Sequence, residues 1–201
     1  MADTIKQLTD KIRPWAPATG DYLTMVDGLV LLRQDEVFRH DNIYADPRLV
    51  VGLQGCKYTV AKKGEYWLGQ NQFLIMGGNM ASSSRAPRVC PRSPFLSLSL
   101  SLDVLMIKSL LKEAPYLSRP VPEDFESHTT VSADPGVMEA LLRLVALLDR
   151  PAQIPYLAPL FTKEIHYRLL LGPLNGHLQR LSGPQNNYWD PAAANDQAML
   201  H

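Results

Sequence analysis

Residues 95–102, FLSLSLSL, alternate apolar and small polar side chains almost without a break. A period of two belongs to a β-strand, whose successive side chains point to opposite faces; a helix would scatter the same residues around its circumference. Leu96, Leu98, Leu100 and Leu102 therefore share one face, and Ser97, Ser99 and Ser101 share the other. The leucine face has to pack inward. The serine face meets either water or another sheet.

The sequence before this stretch reads the same way. GLVLLRQDE, RLVVGLQG, CKYTVAKK, EYWLG and QFLIMGG are short and rich in β-branched or aromatic residues. Gly64, Gly69, Gly77 and Gly78 punctuate them, and SSSRAPR (82–88) reads as a hairpin connection. Short strands at regular spacing predict an antiparallel barrel or sandwich. At Asp103 the period changes. DVLMIKSLLKEA predicts a helix with Asp103 as N-cap and Pro115 beyond its end. After a Pro-rich connector, Asp134 and Pro135 read as N-cap and first helical position. Met138, Leu141, Leu142, Val145 and Leu148 then form an apolar stripe that Pro151 ends. Two more helices are expected over 156–171 and 174–181, separated by Gly172 and Pro173. Ile5, Leu8, Ile12 and Trp15 recur at helical spacing near the N-terminus. The expected organisation is α+β: an N-terminal arm with a short helix (1–24), a β half (25–102), a helical half (103–181) and a polar linker (182–201).

Charge and composition exclude several functions. Twenty acidic residues balance twenty basic ones, so the chain carries no electrostatic footprint for nucleic acid. Its two cysteines, Cys56 and Cys90, form no CxxC pair and suit free thiols in a reducing compartment. The first fifteen residues are broken by charge and form no signal peptide. No run approaches the roughly 20 apolar residues that cross a bilayer. A cytoplasmic location is expected.

EIHYRLLLGPLNGHLQRL (164–181) concentrates the residues that could do chemistry. Glu164 and His166 are two apart on an expected helix, so they point about 200° apart and do not make the one-faced ligand pair of HExxH. His177 lies past the Gly–Pro break, His40, His128 and His201 lie in other segments, and no HxH occurs. No metal, cofactor or catalytic residue is expected, and neither GxSxG nor a P-loop is present. On a helical wheel Glu164 and Arg168 fall in the sector of Leu157, Phe161, Ile165 and Leu169, while Thr162, Lys163 and His166 fall on the polar side. Spaced i, i+4 with the acid first, Glu164 and Arg168 read as an ion pair drawn into an interface. In the β half, Tyr58, Tyr66, Trp67, Phe73 and Met76 cluster in sequence and either fill a core or, with Gln54 as polar anchor, line a site for one small ligand. Cys56 and Cys90 are either inert or reactive, electrophile-sensing thiols.

Four stretches resemble one known family. RLVVGLQGCKYTV is similar to its strand pair, PFLSLSLSLDVLMIKSLL to its last barrel strand running into a helix, and EALLRLVALLDRP to the helix that follows. LAPLFTKEIHYRLLLGPLNGHLQRL is similar to its most specific segment. The family is the N-terminal domain of AraC-type transcriptional regulators, and the resemblance covers roughly 25–181. It implies a cupin-like antiparallel β barrel followed by a helical subdomain, binding of an unidentified small-molecule effector, and a homodimer. It also implies that DNA is contacted only through a separate C-terminal helix-turn-helix domain, expected to begin about where this sequence stops, at His201. Glu164, Arg168, Leu169, Gly172 and Pro173 then become an interface that relays the effector signal. Two alternatives stay open: a dimerisation module with a filled barrel, and a cupin enzyme.

Overall fold

A computed structural model of the chain describes residues 2–37, 39–44, 46–61, 64–76, 80–121 and 130–183. Gly77, Gly78, His128, His201 and all but the start of the expected linker lie outside these residues.

The fold is α+β. Among the described residues ten strands run as β1 (Gly20–Leu23), β2 (Leu29–Gln34), β3 (Arg39–Tyr44), β4 (Arg48–Gln54), β5 (Cys56–Ala61), β6 (Gly64–Gly69), β7 (Gln72–Met76), β8 (Met80–Arg85), β9 (Phe95–Ser101) and β10 (Thr130–Ser132). They form two antiparallel sheets. The larger has the order β1-β2-β9-β4-β7-β10 and the smaller β3-β8-β5-β6. The expected barrel is not closed among the described residues. The chain passes between sheets at Gly55 (φ 73°) and Asn71 (φ 62°), two left-handed turns that break the ladder instead of bending it. Gly52 brings β4 against the end of β6 so closely that a Cβ there would collide with the Gly69 carbonyl oxygen. SSSRAPR is not a connection: its first four residues belong to β8, which pairs with β3 on one side and β5 on the other. The Pro-rich connector likewise contributes β10, which pairs with β7.

β9 sits inside the larger sheet between β2 and β4, with Leu98 opposite Leu31 on one neighbour and Val51 on the other. Both its faces are buried from Phe95 to Leu100. Leu96, Leu98 and Leu100 join Leu31, Leu49, Val51 and Phe73 in the main core, which the helices close from outside. Phe95, Leu32, Leu74, Met76 and Leu68 form a second, smaller core between the two sheets.

Among the described residues five α-helices cover the leucine face: α1 (Ala2–Ile12), α2 (Val104–Glu113), α3 (Pro135–Ala146), α4 (Ile154–Leu171) and α5 (Asn175–Ser182). α1 buries Ile5, Leu8 and Ile12. Asp103 caps α2 by accepting from the Leu105 and Met106 amides (2.9 and 3.0 Å), and Asp134 caps α3 through the Val137 amide (2.9 Å). α3 and α4 pack along each other and are tied by one carboxylate. Glu164 on α4 accepts from Arg168 Nε one turn on (2.8 Å) and, with both oxygens, from Arg143 Nη2 on α3 (2.7 Å each). The hydrogen bond from Arg143 does most to hold the Glu164 carboxyl below its usual range. The Arg143 guanidinium also stands 5.1 Å from the centre of the Phe161 ring. Arg168 lies across Gly136, where a Cβ would collide with it.

His166 is fully buried, not on a polar face as its helical phase suggested. α2 and the end of β9 cover that side of α4. The ring nitrogens are used by backbone: Nε2 accepts from the Asp103 amide (2.9 Å) and Nδ1 donates to the Thr162 carbonyl (2.8 Å). This pattern assigns the neutral tautomer with its proton on Nδ1. Burial pushes the imidazole below 6.5, against the raising effects of the Thr162 bond and the Asp103 carboxylate.

Replacing Glu164 with Gln is expected to lower unfolding stability by about 1–2 kcal/mol, more than an exposed ion pair contributes, because two arginines on two helices lose one shared acceptor. Urea denaturation of E164Q against the parent checks this; an unchanged midpoint would refute it. For His166 the sign follows from its lowered folded pKa. The unfolded chain binds the proton more readily, so this contribution is intact above about pH 6.5 and is lost as the pH falls towards the folded value. The parent's stability advantage over H166Q is expected to shrink between pH 7 and pH 5, and a constant gap across that range would contradict the lowered imidazole pKa.

Candidate functional site

Between the sheets lies a cavity of about 220 Å³. Strand parity decides its wall. On β9 the residues facing away from the helices are Phe95, Ser97 and Ser99, and all three line it. Lys57 and Thr59 come from β5, Ser84 from β8, Val30 and Leu32 from β2, Arg48 and Val50 from β4, and Leu74 and Met76 from β7. Asp21 and Leu23, on the edge strand β1, stand at its mouth, and Leu23 is 87% exposed. The wall is thus apolar with a group of hydroxyls and two cations.

Lys57 is the unusual member. Its side chain is buried at 6% exposure, and Nζ stands over the Phe95 ring, 5.8 Å from the centroid. Burial pushes its ammonium down to about 8, with the Asp21 carboxylate pulling the other way. Arg48 is anchored at the opposite side, where Nη2 donates to the Gly28 carbonyl (2.6 Å). Among the described residues no three His, Cys, Asp or Glu side chains gather as metal ligands.

The residues that the sequence offered for an effector are divided by the fold. Met76 lines the cavity. Tyr66, opposite Thr59 in the ladder, packs against the inter-sheet core beside it. Phe73 lies on the other face of β7, in the core under the helices. Tyr58 and Trp67 point away from the cavity and stack on each other at 5.0 Å, with Trp67 53% exposed. Gln54 is engaged outside it, accepting from Arg13 (2.8 Å) and donating to the Pro94 carbonyl (2.8 Å). Cys56 is half-buried and Cys90 exposed, both as free thiols. Glu164, Arg168, Leu169, Gly172 and Pro173 lie in the helical layer: Leu169 is buried, and Gly172 ends α4 by donating to the Leu169 carbonyl (3.2 Å). Lys57, Thr59, Ser84, Ser97 and Ser99, which line the cavity, were not among the residues the sequence offered. The one signal for them was the serine face of β9, which had to meet water or a second sheet.

A model of the family described as the AraC-type transcriptional regulator N-terminus matches residues 25–177. Among curated proteins none matches the chain. Similar solved structures include ToxT from Vibrio cholerae, at 12% identity and a TM-score of 0.45 over 58% of this chain and 46% of that one. They also include the AraC-like transcriptional activator CuxR, at 8% identity and a TM-score of 0.44 over 83% of this chain and 64% of that one. A cupin superfamily protein from Desulfitobacterium hafniense follows at 15% identity and a TM-score of 0.31, over 37% of this chain and 64% of that one. The match thus covers less than half of that ToxT chain and less than two thirds of CuxR, and likenesses this distant say nothing further of ligand or partner. The family match covers most of the sequence from the second strand to the last helix, and the chain belongs to the family of N-terminal domains of AraC-type transcriptional regulators.

Proposed function

We propose that this domain senses a small molecule in the cavity between its sheets and passes the occupancy to its helical layer, for a DNA-binding domain elsewhere in the regulator to read. The observation that carries the reading is the double use of β9. Ser97 and Ser99 line the cavity, while Leu98 and Leu100, one residue away on the same strand, pack under the helices. Occupancy that moves β9 must repack that core, and Asp103, two residues past the strand, is hydrogen-bonded to His166 of α4. A ligand shifts such an arrangement only by its difference in affinity for two states. No helix of the described residues is long and apolar enough to cross a membrane.

The test is a small-molecule thermal-shift screen on the parent and on S97F, whose ring fills the cavity. Compounds that raise the parent's Tm and leave S97F unmoved are the expected result. The absence of any such compound, or equal shifts in both proteins, would sink the reading.

The outer surface of α4 supports a homodimer. Tyr156, Leu160, Tyr167 and Leu171 lie along one stripe, since their spacings return to the same side of the helix. Tyr156 is 76% and Leu160 62% exposed. Lys163 falls on the stripe but is drawn aside to Glu113, at 3.3 Å. Sedimentation of the parent should give a dimer at micromolar concentration, and L160E a monomer with an unchanged far-UV spectrum. A monomeric parent, or a dimeric L160E, would remove α4 as the interface.

A further inference from the structure

The effector reading leaves the chemistry of the effector open, and the cavity wall narrows it. We propose that the cavity takes a small monocarboxylate with a compact apolar body of about benzoate size, its anion held at Lys57. The proposal rests on the effector-binding reading of this cavity.

The charge comes first. Lys57 is more than nine-tenths buried, and among the described residues no hydrogen bond holds its Nζ; it stands over the face of Phe95, with the Asp21 carboxylate near enough to act on it. A buried cation so placed is costly, and an incoming anion relieves that cost. Among the described residues the wall carries Lys57 and Arg48 against one acid, Asp21, a formal charge of a single positive one. Asp21 lies on the exposed edge strand at the mouth. One negative charge is therefore complemented by this wall, whereas a second carboxylate would also meet Asp21. Ser97 and Ser99 add hydroxyl donors on the facing strand.

Size comes next. A cavity of roughly 150 Å³ holds one benzene ring. The space here, about 220 Å³, leaves room for a ring or short chain plus a carboxylate. A long fatty-acid tail does not fit. The apolar share of the wall, from Val30, Leu74 and Met76, suits such a body and not a sugar.

Calorimetric titration of the 201-residue chain with benzoate, hexanoate, benzamide and oleate tests both points. Benzoate and hexanoate are expected to bind at least tenfold more tightly than benzamide and oleate at pH 7. K57M, which replaces a buried charge with an apolar chain of similar length, should fold and lose that preference. In the parent, benzoate affinity should fall about tenfold between pH 7 and pH 9, because Lys57 releases its proton near 8. Equal binding of benzoate and benzamide, or a benzoate affinity flat across that range, overturns the anion assignment and leaves the cavity as a site for neutral molecules. Oleate binding as tight as hexanoate overturns the size limit. If none of the four binds, this proposal falls, and the separate screen against S97F decides the effector reading.

Discussion

The central strand β9 belongs to two cores at once, and the rest of the architecture follows from that. A strand buried on both faces ordinarily carries apolar residues on both. Here one face carries leucines and the other carries serines below a single phenylalanine, Phe95. The leucines make the larger sheet the floor of the helical layer, because Leu96, Leu98 and Leu100 need α1, α3 and their neighbours to exclude water. The serines make the space above that floor incompletely filled. Leucines at both sets of positions would pack the two sheets into a solid sandwich; serine leaves volume opposite Thr59 and Ser84. The cavity is thus built into the sequence pattern that makes the strand.

The helical layer is held to this strand by polar joints as well as by apolar packing. The chain leaves β9 directly into the cap of α2, and the amide of the capping residue Asp103 is donated to His166. One turn of helix earlier on α4, the carbonyl of Thr162 takes the other ring nitrogen. Nearby, Glu164 fastens α3 to α4. Apolar contacts tolerate sliding, whereas these hydrogen bonds have defined lengths and fixed donors. The Asp103–His166 bond therefore ties the chain just past β9 to α4. That makes the end of β9 the place where sheet and helices are mechanically one.

Much of this was legible in the sequence, and the illegible parts share a cause. Strands with an apolar face, β2, β4, β7 and β9, announce themselves by alternation or by β-branched runs, and the helices by their caps, stripes and prolines. GDYL, RHDNIY and MASSSR do not. They are mostly polar, and β1 and β3 lie at sheet edges, so neither alternation nor bulk marks them. The site was harder still, because alternation gives the period of a strand and not its phase. On β5 the aromatic Tyr58 faces away from the cavity while Lys57 faces it, the reverse of the usual rule that apolar residues go inside. His166 shows the same limit on a helix. Its position opposite the apolar stripe reads as solvent-facing only while α2 and the end of β9 are ignored.

The inverted phase of β5 is itself informative. Burying Tyr58 and exposing Lys57 would have been the more stable choice for a chain that needs only a packed sandwich, since a lysine in an apolar enclosure gives up its hydration. Fixing a cation there keeps the cavity polar at one end and prevents its collapse onto an apolar filling. It also sets a sign: a neutral acceptor recovers only part of the lost hydration, whereas an anion recovers more of it. The same strand, β9, supplies both the serines that share the cavity wall with that cation and the leucines beneath the helices.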